Sequence, residues 1–249
     1  MQKIYGAPLA LAGCLLILAT GVAHADLKVV QTTTLINSQY SAMRDSMSAQ
    51  QKAAAHRAGM DLMMGIPQTN TIYGSGQHVR IDESDHNIIF DVRAQIVTSV
   101  NKATKTYTIL PIEFRTTNVQ VVVAPTKRHD IMVGHPATQY NIKATSVSFP
   151  GEIISGNVWV ADDIKAPSLP ASGLLGQLRP ILLRLQKLPL VLSLKITGGP
   201  TGEIDFRTKV LSVSQAPLPA ATFRIPAGYK PANPNAAPSN PLMGMGGGF

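Results

Sequence analysis

The sequence predicts a mainly β domain with helices (α+β), built on one curved antiparallel sheet of about nine to eleven strands. Three observations lead there. From Thr69 to Phe149, and again from Leu190 onward, apolar and polar residues alternate with period two. That is the pattern of antiparallel strands with one buried face. Glycines and short polar pairs separate these runs at hairpin spacing, as turns require. Only two stretches change to helical periodicity, about 39–64 and 174–188.

Residues 1–25 stand apart from the fold. Lys3 supplies a positive start, Leu9 to Val22 is almost continuously apolar, and Ala23-His24-Ala25 offers small residues at a cleavage position. This is the layout of a secretory signal, predicting an exported protein, periplasmic or secreted, that begins at Asp26. Leu11-Ala12-Gly13-Cys14 also has the form of a lipobox, which would tether the chain to a membrane through Cys14. The apolar run before Cys14 is short, and Leu15 to Leu18 are apolar where a lipoprotein carries a polar linker. Release after Ala25 is the expectation and lipidation the alternative. Removing 25 of 249 residues leaves 224 for a single domain, without any cysteine, so disulfides and thiolate chemistry are excluded from it.

Leu27 to Ile36, rich in Val and Thr, reads as the first strand. The helix expected over 39–64 places Met43, Met47, Ala54, Ala58 and Leu62 along one face, and Gly65 and Pro67 stop it. Gln77, Val79 and Ile81 then alternate with His78, Arg80 and Asp82, as Val119, Val121 and Val123 do with their polar neighbours. Asn101-Lys102 falls between runs 95–100 and 105–110 as a hairpin turn. Gly151, Gly156, Gly198-Gly199 and Gly202 punctuate the second half in the same manner. The second helix carries a stripe through Leu174, Leu175, Leu178, Leu182, Leu185 and Leu188; Pro180 starts or kinks it and Pro189 ends it. Ile204, Phe206, Thr208 and Val210 share a face, but the apolar positions change parity at Leu211 and Val213. Such a slip marks a bulge or a curving strand. The tail 231–249, composed of Pro, Ala, Asn, Gly and Met, is expected to be disordered.

Four segments in order carry a resemblance: Gly76-Gln77-His78-Val79-Arg80-Ile81-Asp82, Lys105 to Pro111, Gly156-Asn157-Val158-Trp159-Val160-Ala161-Asp162-Asp163-Ile164, and Phe223 to Tyr229. Over about Leu27 to Tyr229 the chain resembles an uncharacterised secreted bacterial family, a domain of unknown function. That resemblance implies the half-open barrel of the periplasmic lipoprotein carriers (LolA/LolB-like), one domain over 26–230 with two covering helices. It also implies an apolar concavity that shields a lipid or the acyl chain of a lipoprotein. The Met- and Ala-rich insertion between the first two strands departs from the family pattern.

On this reading the helices form a lid. Met43, Met47, Leu178 and Leu182 are the candidates to face the sheet, with Val79, Val121, Leu192 and Phe206 lining it. Flexible methionines suit irregular apolar ligands, and equally suit a gap between helix and sheet. Trp159, the only tryptophan, is a core anchor or part of the same surface. A second reading is a structural or interaction module of the cell envelope, with a self-filled core and another envelope protein as partner. A third is an envelope hydrolase.

Other chemistry finds little support. The net charge of +8, or +7 once Lys3 is removed, suits anionic lipid headgroups or nucleic acid. The densest basic block is only Lys127-Arg128-His129, and aromatics at 5% leave no base-stacking surface, so nucleic acid is not an expected partner. His56, His78, His86, His129 and His135 lack metal-ligand spacing, and no cofactor is expected. Asp82, Glu83, Asp85 and His86 read as a solvated hairpin tip. Asp162-Asp163 would point to opposite faces of a strand, the wrong geometry for an acid–base pair. No serine sits in a nucleophile elbow, so no catalytic residue is expected.

Overall fold

The computed structural model describes residues 26–57, 60–112, 119–146, 151–166, 184–198 and 202–233. These form a β-rich α+β fold: one twelve-stranded sheet, two short α-helices and a 3-10 turn. In chain order they are β1 (Leu27–Asn37), α1 (Ser38–Ser46), α2 (Ala49–Arg57), β2 (Gln68–Ser75), β3 (His78–Asp82), β4 (His86–Asp91), β5 (Ile96–Asn101) and β6 (Thr106–Pro111). There follow β7 (Val119–Met132), β8 (His135–Ser146), β9 (Ile153–Lys165), β10 (Lys187–Thr197), β11 (Ile204–Ser214), the 3-10 turn Ala220–Phe223 and β12 (Lys230–Pro231).

The spatial order is β12-β6-β5-β4-β3-β2-β1-β11-β10-β9-β8-β7, antiparallel throughout except for β12 against β6. Two meanders meet where β1 pairs with both β2 and β11. The order requires curvature. β6 and β7 follow one another in sequence yet lie ten strand spacings apart, about 48 Å in a flat sheet at ~4.8 Å per spacing. Eight chain steps from Pro111 to Val119 reach at most about 28 Å when fully extended. A flat sheet is therefore excluded by the length of the chain connection. Register shifts at Val30/Gln31, Pro125/His129 and Pro189/Val191 supply bulges of the kind a bent sheet needs.

Two apolar clusters form the core. The first joins Leu35 to Ile142, Val158, Leu194 and Phe206; the second joins Val29 and Val79 to Phe90, Ala161, Leu190 and Val210. The N-terminal meander repeats one turn design. Asp91 and Asn101 each accept, through Oδ1, the backbone N–H three residues on, and Gln95 and Lys105 close the turns at positive φ. The segment after β11 crosses that meander as a strap. Asp26 accepts from the Leu218 N–H, and Arg80 donates to the Thr222 carbonyl.

Several expectations are corrected. The single helix over 39–64 is two helices, because Ser48 and Gln51 form a reciprocal capping box. Ser48 Oγ accepts from the Gln51 N–H, and Gln51 Oε1 accepts from the Ser48 N–H. Residues 61–65 are a turn rather than helix. Gly156 lies inside β9, not at a turn: a Cβ there would meet the Ser193 carbonyl of β10. The Asn101-Lys102 turn occupies 102–105. Strand β12 adds a short pair, with the Ala232 N–H donating to the Tyr107 carbonyl, so the first residues of the tail are held. The rest of the tail, residues 1–25 and most of the segment expected as the second helix lie outside the described residues.

Candidate functional site

The cover over the first cluster is built by the segment that leaves α2. Asn37 starts it by capping α1: its Oδ1 accepts from the N–H groups of Gln39 and Tyr40, and its Nδ2 donates to the Glu203 carbonyl. Arg44 on α1 donates to the Met64 carbonyl and so holds the 61–65 turn. That turn needs Gly65 at positive φ. Leu62 and Met63 pack against the first cluster, and Met64 is fully buried. The turn, rather than a helix face, seats the apolar side chains.

Between α1, α2 and the turn lies a cavity of about 430 Å³, lined by Arg44, Lys52, Ala53, His56, Asp61, Met64 and Ile66. Its walls combine apolar surface from Ala53, Met64 and Ile66 with cationic groups from Arg44 and Lys52. Asp61 is 8% exposed. Its Oδ2 lies 2.5 Å from His56 Nδ1 and accepts from Gln68 Nε2, while its buried Oδ1 has no hydrogen-bond partner among the described residues. A buried carboxylate oxygen left unpaired costs free energy unless a donor reaches it. A ligand hydroxyl or ammonium entering the cavity would meet that requirement.

The candidates named from sequence are distributed differently. Val121, Leu192 and Phe206 belong to the first cluster and Val79, at 0% exposure, to the second. Trp159 is half-buried against the second cluster. Met43 is 41% exposed on α1, which buries none of its residues, and Met47 is half-buried at its C-cap. Neither is among the side chains packed against the two clusters. Leu178 and Leu182 lie outside the described residues. The cavity groups were missed, although Asp61 is the only acidic residue between Asp45 and Asp82. A lone acid in an Ala- and Met-rich stretch was the available signal.

Outside the cavity, Asn70 Oδ1 and Asn87 Oδ1 are likewise buried without a partner among the described residues, whereas the polar groups of β8, β9 and β10 pair with one another. Asp162 accepts from Lys187 and Thr138, and Thr138 Oγ1 also bonds His129. The Lys187 hydrogen bond holds the Asp162 carboxyl below its usual range. Asp163 instead bonds His135 at 2.9 Å, so the two neighbouring aspartates hydrogen-bond different side chains. At the β3–β4 tip, burial pushes the Asp85 carboxyl up, but the hydrogen bond and charge of His86 outweigh it and the net shift is downward. No group of three or more His, Cys, Asp or Glu side chains arranged for a metal ion occurs among the described residues. No described helix is long and apolar enough to cross a membrane.

No protein-family profile and no curated protein matches the sequence. Among solved structures, that of PNGF-II is similar at 10% identity and a TM-score of 0.41 over 83% of this chain. This chain spans about 30% of the length of that one.

Proposed function

We propose that this is an exported, non-catalytic protein that binds a single-chain lipid in the cavity between α1, α2 and the 61–65 turn. The observation that carries the reading is the pairing of apolar walls, Ala53, Met64 and Ile66, with an unpartnered buried carboxylate oxygen on Asp61. The acyl chain takes the apolar walls. The head combines a donor for Asp61 Oδ1 with an anionic group for Lys52, a combination that phosphoglycerol headgroups provide. A volume of about 430 Å³ falls in the range of small-molecule sites, about 300–1,000 Å³. The signal-like residues 1–25 support export, and the bent sheet supports a half-barrel of lipoprotein-carrier type.

Titration with lysophosphatidylglycerol tests this. Wild type should bind. Lys52→Glu and Ala53→Trp should each weaken binding at least about tenfold, by removing the head contact or filling the cavity. No binding by wild type, or equal binding by both variants, would refute the assignment. One observation favours a second reading, a structural envelope module with a self-filled core: Val79, Val121, Leu192 and Phe206 are all packed within the two clusters. Under that reading neither lysophosphatidylglycerol nor a plain fatty acid binds.

A further inference from the structure

The hairpin joining β7 to β8 ends in an unusual way. Its turn is Val133-Gly134, both at positive φ, +53° and +82°. A β-branched residue in that region is strained, and asparagine or glycine is the ordinary choice. Strain of this kind persists where the side chain has a use. Val133 is 38% exposed, and Ile131 beside it is 75% exposed, the highest value among the large apolar side chains described. Met132 packs against the second cluster. The hairpin end is thus fixed to the core while Ile131 and Val133 project from it.

Basic groups stand behind this tip. The register of β7 against β8 breaks between Pro125 and His129, and the intervening bulge puts Lys127 and Arg128 in solvent. The Arg128 N–H donates to Thr126 Oγ1, which fixes the bulge. At ~3.4 Å per residue, Arg128 lies about 10 Å behind Ile131 along the strand. That matches the depth over which an amphipathic surface element reaches from headgroups to the acyl boundary, about 5–10 Å. Asp130 is the one acidic residue between them, and its carboxylate accepts from the Ile131 N–H. The chain as a whole carries +8.

We propose that this hairpin docks the protein on an anionic phospholipid surface. Ile131 and Val133 enter the headgroup–acyl boundary, and Lys127 and Arg128 pair with lipid phosphates. The proposal rests on the hairpin alone and is independent of the cavity.

Co-sedimentation of the full chain with vesicles tests it. Wild type should pellet with phosphatidylcholine vesicles containing phosphatidylglycerol, should not pellet with phosphatidylcholine alone, and should be released by salt. Ile131→Asp should lower partitioning at least about tenfold. Lys127→Glu combined with Arg128→Glu should abolish the preference for phosphatidylglycerol. Val133→Asn gives the sharpest outcome, because asparagine tolerates positive φ: the melting temperature should rise while vesicle binding falls about fivefold. Ala53→Trp, which fills the cavity without changing charge, should pellet like wild type. The proposal is overturned if wild type ignores phosphatidylglycerol, if Ile131→Asp and Val133→Asn bind fully, or if Ala53→Trp alone abolishes binding.

Discussion

Strand β10 buries every second side chain from Leu188 to Ile196, whereas α1 buries none of its nine residues. The two elements follow opposite rules. A strand within the sheet gains free energy from burial on its inner face, and its backbone pairs on both edges. Helix α1 has no such face. It is held by a cap and by Arg44, and what it contributes is a wall of the cavity. The burial that stabilises the fold therefore lies in the sheet, and the proposed binding lies in its cover.

The largest way to break this contrast is Gly156→Ala. The new Cβ would press on the Ser193 carbonyl and force β9 from β10 in the middle of the first cluster. A loss of about 3 kcal/mol or more is expected in urea unfolding. A loss below about 1 kcal/mol would show that the two strands separate easily. Next comes Asn37→Ala, which removes the cap of α1 together with the tie to Glu203. It should cost about 2 kcal/mol. Because the cap also positions Arg44, weaker lysophosphatidylglycerol binding should accompany the loss.

A smaller effect separates the hairpin tips from the interior. Burial, and secondly the charge of Asp85, raise the Glu83 carboxyl above its ordinary value of 4.5. The folded state then holds that proton more tightly than the unfolded chain. Glu83 accordingly lowers stability as the pH climbs from 4.5 through the folded value. Glu83→Gln should raise the neutral-pH melting temperature by about 2 °C and leave it little changed at pH 4. An equal shift at both pH values would contradict the assignment. The smallest effect belongs to Met43→Ser. With that side chain largely in solvent, stability should stay within about 0.5 kcal/mol, and a greater loss would mean that α1 packs more tightly than its exposure indicates.

The sheet was legible in sequence because period-two alternation is a local signal that one buried face imposes on every strand. Leu27 to Ile36 falls within β1, and the runs flanking Asn101 became β5 and β6. The break between α1 and α2 was also written in the sequence, as Ser48 and Gln51, but helical periodicity over 39–64 ran across it. Strand β12 has two residues and therefore no period to read. The cavity was illegible for another reason. Its groups come from α1, α2 and a turn, and only folding brings Asp61, Lys52 and Arg44 to one cavity. Likewise, the strain at Val133 is a backbone property that the residue name alone does not reveal.

The central claim is that a lipid chain sits in the cover and not within the sheet. Photo-crosslinking with a lysophosphatidylglycerol whose acyl chain carries a diazirine tests it most directly. The account predicts adducts on the peptide containing Ala53, Met64 and Ile66, lost on Ala53→Trp. Adducts on Leu192, Phe206 or Val121 instead, insensitive to Ala53→Trp, would contradict it and place the ligand inside the sheet.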